Sequence, residues 1–244
     1  MRIAALALIA SLISGAAAAQ TAPPVPTDHA ADRDYDPAVM ALARDILRQE
    51  HGGSRYSKVM LNLGEVSDGG DWHWEAQAST GGDIHRAMIT TRGEGGDQAE
   101  VQGLYSRAIG PYFDARMGLR QDLGSGPRRT HLVLGVEGLA PYWFDVSSSL
   151  FLSNRGELTG RAEASYDLRL TQRLILQPRA ELSLSAEDIP ALEVGSGLGR
   201  AELGLRLRYD IQRTFSPYVG VTHERLFGQS ADFARAAGER SRHT

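Results

Sequence analysis

Residues 160–187 read GRAEASYDLRLTQRLILQPRAELSLSAE. Leu, Ala and Tyr hold one parity, while Arg, Glu, Asp and Ser hold the other, and Thr171-Gln172 separates two such runs. Successive side chains of a strand point to opposite faces. This stretch is therefore a hairpin with one apolar and one ionised face. Leu158, Gly160, Ala162, Ala164, Tyr166, Leu168 and Leu170 fall opposite Arg161, Glu163, Ser165, Asp167 and Arg169. In the next run Leu174, Leu176, Pro178, Ala180, Leu182 and Leu184 oppose Gln177, Arg179, Glu181 and Ser183. Residues 198–211 repeat the pattern, with Arg200, Glu202, Arg206, Arg208 and Asp210 on the charged side.

A soluble sandwich also alternates, with its polar face in water. Run length decides otherwise. Soluble strands usually have about 5–6 residues, whereas a tilted strand needs ~9–11 to cross a bilayer. Period-two runs recur at 56–66, 71–80, 84–94, 98–108, 111–122, 130–139, 142–152, 157–170, 172–185, 197–211 and 215–226. Glycine-rich turn signals lie between most of them. Trp72, Trp74, Tyr112, Phe113, Tyr142, Trp143, Phe144, Phe215 and Tyr218 fall near strand ends, where interfacial girdles form. The pattern predicts an all-β fold, an antiparallel outer-membrane β-barrel with eleven visible strands. Short turns are expected on one side and longer loops on the other. Ions cannot face hydrocarbon cheaply, so one-sided charge forces a water-filled or salt-bridged lumen.

The rest of the 244-residue chain fits export. Met1-Arg2, the apolar run IAALALIASLISGAAAA and Ala17-Ala18-Ala19 form a secretory signal peptide over 1–19. Its removal takes away only Arg2 and moves the net charge from −4 to −5, which offers no basic surface for nucleic acid. Residues 20–35 read as a proline-rich disordered periplasmic linker. Residues 36–53 read as an amphipathic helix: Asp36 is an N-cap, Pro37 suits the first turn, and Met40, Ala43, Ile46 and Leu47 share a face. Residues 54–244 form the barrel. No Cys is present, which removes disulfides and thiolate chemistry.

Several segments resemble the copper resistance protein B family of Gram-negative outer membranes. They are LYSRAIGPYFDARMGLRQDL, VEGLAPYWFDV, YDLRLTQRLILQPRAELSL, GSGLGRAELGLRLRYDI and FSPYVGV. The resemblance spans about 56–238; Thr171 to Pro178 and Gly204 to Tyr209 are its most specific parts. It implies a twelve-stranded design, a role in copper resistance, copper as the cargo, and a periplasmic multicopper oxidase and the barrel-assembly machinery as partners. Two departures stand out. Residues 20–35 contain only His29 where many members carry a Met- and His-rich stretch, and no closing strand ending in an aromatic residue follows 226.

Copper favours thioether, imidazole and carboxylate ligands. Strand parity places Met60, His73, Met88 and His131 on polar faces, and His51 ends the helix. These five are the candidate metal contacts. Against them stands the lack of any H-x-H, M-x-x-M or H-x-x-x-H spacing. A lone lumen histidine is more often a hydrogen-bonded polar residue than a ligand. The Arg/Glu/Asp ladder can simply hold the interior together; its functional version is a cation path drawn by Glu163, Asp167, Glu181 and Glu202. An enzyme, such as a lipid hydrolase with outward Ser, His and Asn, lacks its motifs here. A porin-like or structural barrel without metal specificity is the other alternative.

Overall fold

The computed structural model describes residues 29–51, 55–66, 70–95, 98–124, 126–212 and 214–236, with backbone alone at 48–51. The expected signal peptide, the start of the linker and the His51 side chain lie outside the described residues. A 3-10 turn at Ala30–Arg33 leads into helix α1, Pro37–His51. Asp36 caps α1 through Oδ1, which accepts from the Ala38 N–H at 2.8 Å. Arg44 pairs with Asp32 at 2.6 Å and ties the helix to the preceding turn. Val39, Leu42, Ile46 and Leu47 remain exposed, so the apolar side of α1 is uncovered.

Among the described residues, twelve strands form one antiparallel sheet. They are β1 Tyr56–Val66, β2 Trp72–Gly81, β3 His85–Glu94, β4 Gln98–Ala108, β5 Phe113–Gly124, β6 Thr130–Ala140, β7 Phe144–Ser153, β8 Leu158–Ser165, β9 Leu168–Arg169, β10 Leu174–Ser185, β11 Gly197–Tyr209 and β12 Tyr218–Leu226. The two-residue β9 continues β8 along the same partner, β10. The sheet therefore crosses eleven times, in agreement with the eleven period-two runs. A bulge at Asn62 shifts the β1 register between Leu61 and Leu63. Helix α2, Gly228–Ala236, follows β12.

The sheet curls on itself, because side chains from strands distant in the order meet. Arg92 on β3 lies 3.5 Å from Glu181 on β10. Glu65 on β1 accepts from Arg206 on β11 and Tyr218 on β12 at 3.3 and 3.1 Å. Among the described residues no main-chain pairing joins β1 to β12, so the cylinder has a seam. The outer face carries Val59, Ile89, Met117, Leu119, Leu134, Leu203, Leu205 and Val221, all exposed. The inner face carries the paired arginines and carboxylates. The alternation is thus realised as apolar outside and charged inside.

Three details depart from the sequence reading. Tyr218, expected in the aromatic girdle, points inward to Glu65. Short turns are not confined to one end: the longer connections 186–196 and 210–217 lie at opposite ends of the barrel. The interior is not polar throughout. Met88, Leu104, Val133 and Phe151 form a buried cluster inside, aligned through the pairings Met88–Leu104, Leu104–Gly118, Gly118–Val133 and Val133–Phe151. Gly118 permits this row, since a Cβ there would overlap the Gly103 carbonyl oxygen.

Candidate functional site

The lumen is crossed by a lattice of ion pairs built from inward positions of opposite walls. Arg92 reaches Glu75 at 3.3 Å, Glu181 at 3.5 Å and Glu163 at 3.7 Å. Arg179 holds Glu163 at 2.9 Å and Glu181 at 3.0 Å. Arg161 bridges Glu181 at 3.5 Å to Glu100 at 3.3 Å, and Arg120 joins Glu100 at 2.9 Å to Asp122 at 2.7 Å. The guanidinium groups of Arg120 and Arg161 also lie over the Phe151 ring, at 5.0 and 5.6 Å. Lattice and apolar cluster are therefore one structure.

Register explains why arginine is needed. Glu163, Glu181, Glu202 and Glu224 are directly opposite one another on β8, β10, β11 and β12. Like charges in facing positions repel. Arg179 sits between the first pair, and Arg200 lies 3.0 Å from both Glu202 and Glu224. Planar guanidinium groups can satisfy two carboxylates at once, and the only Lys in the sequence is Lys58.

A cavity of about 720 Å³ opens on one side of the lattice, lined by Tyr56, Arg86, Asp114, Arg116, Glu137 and Asp145 among others. Arg86 pairs with Asp114, and Arg116 with Glu137 at 2.6 Å. At the opposite barrel end, in the β7–β8 turn, Glu157 accepts from the nearly fully buried Arg129 at 3.0 Å. The Arg129 hydrogen bond holds the Glu157 carboxyl below the usual carboxylate range.

The candidate metal contacts are dispersed. His73 faces inward between Glu65 and Glu94 in the register. Met60 pairs with Gln77, four residues along β2 from His73, or ~13 Å at strand rise. Met88 is buried in the apolar cluster. His131 is also buried: its Nε2 meets Asp122 at 2.9 Å and its ring lies edge-on to Phe151 at 6.3 Å. A carboxylate only accepts, so Nε2 donates to Asp122. The His131 Nδ1 is buried without a hydrogen-bond partner. Among the described residues, no group of three or more His, Asp or Glu could hold a metal ion. Met117 is exposed on the outer face.

Sequence reasoning singled out Glu163, Glu181, Arg161 and Arg179 but missed Arg92, Glu100, Arg120, Asp122 and Phe151 as their partners. Strand parity in 84–94 and 98–108 would have placed Arg92 and Glu100 inside. Phe151 breaks the polar parity of its strand, and only that break could have flagged it.

An antiparallel β-barrel with an apolar outer surface and an arginine–carboxylate lattice across its lumen is the class these features define. The model of the copper resistance protein B precursor family (CopB) matches residues 55–244. The chain belongs to the copper resistance protein B family. A copper resistance protein B homolog of Pseudomonas syringae pv. tomato (strain ATCC BAA-871 / DC3000) is 37% identical over 216 residues, covering 83% of this chain and 74% of the relative. Copper resistance protein B of Escherichia coli is 39% identical over 174 residues, covering 70% of this chain and 59% of that protein. The chain thus spans less than two thirds of the second relative. Among solved structures, a NanC porin in a rhombohedral crystal form is similar at a TM-score of 0.45 and 11% identity, covering 70% of this chain and 87% of the porin chain. Family membership supports a role in copper resistance.

Proposed function

We propose that the chain is an outer-membrane barrel that binds copper ions or passes them across that membrane, and that it is not an enzyme. The observation that carries this reading is the unpartnered Nδ1 of buried His131 in a chain of a copper resistance family. A bare imidazole nitrogen is a borderline ligand suited to copper, and Met88 supplies a thioether in the cluster that shares Phe151. His73 and Met60 give further spaced, weak contacts, as passage requires binding followed by release. The inner carboxylates draw cations, and the arginines limit them.

Outer-membrane location is supported by the exposed apolar belt and by strands long enough to cross. A periplasmic multicopper oxidase and the barrel-assembly machinery are the partners the family resemblance implies. Deleting the gene should raise copper sensitivity and change cell-associated copper. Purified protein should bind copper on titration, and His73→Ala, Met88→Ala and His131→Ala should each weaken that binding. Unchanged binding in all three would remove the lumen as the site. The second reading, a structural barrel without metal specificity, draws on the lattice itself, which fills the lumen with paired charges. It predicts no copper phenotype on deletion.

A further inference from the structure

The outer face carries a depression of about 430 Å³ that the lumen chemistry does not use. Its apolar sides are Tyr105, Met117, Leu134 and Leu150. These four are consecutive cross-strand neighbours on β4, β5, β6 and β7. The neighbouring outward row is Arg107, Ala115, Val136 and Ser148. Its last three side chains are short, so the wall is recessed there. Backbone of inward-facing Arg116 and Gly135 forms the floor.

Depth gives the recess its meaning. Arg107 is the penultimate residue of β4, just before the 109–112 turn. Tyr112 in that turn meets Trp143 edge-on at 6.4 Å, and the Phe144 and Tyr166 rings lie 4.9 Å apart at the same end. Such rings sit at the headgroup level of a bilayer. Arg107 therefore stands at phosphate depth and faces outward, with no ion pair among the described residues. Beside it, His85 is paired with Arg107 in register and stacks on Tyr105, its Nδ1 2.5 Å from the phenol oxygen.

We propose that this recess holds one glycerophospholipid, its acyl chain along Ala115, Val136 and Leu134 and its phosphate on Arg107. The proposal rests on the membrane reading above. An apolar recess in a hydrocarbon-facing wall is filled by the hydrocarbon next to it. A single outward cation at the rim is the charge complement of an anionic headgroup. The arginine stem can lie along the wall while its guanidinium reaches the interface.

The full chain is tested in detergent micelles by native mass spectrometry with added phosphatidylglycerol, and with diacylglycerol as the arm that lacks the phosphate. Wild type should retain one phosphatidylglycerol at least fivefold better than diacylglycerol. Arg107→Ala should abolish that preference, and Val136→Phe, which fills the recess from outside, should lower retention of both lipids. Insertion of all three proteins into phosphatidylglycerol vesicles is scored in parallel by protease protection. Inserted variants with the expected losses support the site. Inserted variants that keep wild-type retention and preference overturn it and leave the membrane reading standing. A wild type that does not insert overturns both.

Discussion

Arg92 and Glu181 are 89 residues apart in the chain, yet their side chains meet 3.5 Å apart across the lumen. The same guanidinium also serves Glu75 and Glu163, so one residue ties β3 to β2, β8 and β10. Removing it leaves carboxylates facing one another with fewer cations between them. Breaking a buried pair by deleting one partner is strongly destabilising, and partial exposure reduces the effect. Arg92→Ala should lower unfolding stability by about 1–3 kcal/mol. It should also raise conductance severalfold in planar bilayers, because the obstruction is thinned. Unaltered conductance would show that other groups close the path.

Phe151 is the hub of the inner apolar cluster and the platform for two arginines. Phe151→Ala opens a cavity beside Met88, Leu104 and Val133, and should destabilise the barrel by about 3–5 kcal/mol in urea titrations. Phe151→Leu keeps most of the apolar bulk but removes the ring face. It should recover most of that loss without restoring the cation–π contribution of about 1 kcal/mol. Equal behaviour of the two variants would argue against the platform role.

The β6–β7 turn places both Tyr142 and Trp143 at positive φ, 66° and 67°. Non-glycine residues there carry a cost of roughly 1–2 kcal/mol, and asparagine tolerates the region better. Tyr142→Asn should raise stability in micelles by about 0.5–1 kcal/mol. It should also slow insertion into vesicles, because an interfacial ring is lost. A fall in micelle stability would mean that the ring makes contacts which outweigh the strain.

Glu157 titrates below its unfolded value because Arg129 donates to it. A lowered carboxylate contributes stability that is complete above the unfolded pKa of about 4.3 and is lost as pH falls through the folded value. Acid should therefore weaken the β7–β8 end of the barrel only below about pH 4.3. Glu157→Gln should flatten that part of the stability profile and leave neutral pH less stable. Parallel profiles for both proteins would place the acid transition elsewhere.

The barrel was legible because its period is two and its runs are long: 56–66 and 98–108 are predicted and observed with identical bounds. Parity alone set the facing of Arg161, Glu163, Arg179 and Glu181. What parity does not encode is which residues meet across the lumen. The partnership of Glu100 with Arg161 depends on curvature and stagger, which arise from the whole sheet. The bulge at Asn62 also lacks a local signal, since no glycine marks it. Tyr218 was misplaced because an aromatic near a strand end reads as girdle, while its register opposite Arg208 turns it inward. Met88 was expected on a polar face as a thioether ligand, and it lies inside among the apolar side chains of Leu104, Val133 and Phe151.

The line between β1 and β12 is the barrel's mechanical weak point. Eleven crossings make these two strands run in the same direction, and Glu65 with Arg206 and Tyr218 clasps them through side chains. Every other boundary is a full ladder of main-chain bonds. Under tension or heat the cylinder should unzip sideways along this meridian, flattening into a sheet of intact hairpins before any single hairpin gives way.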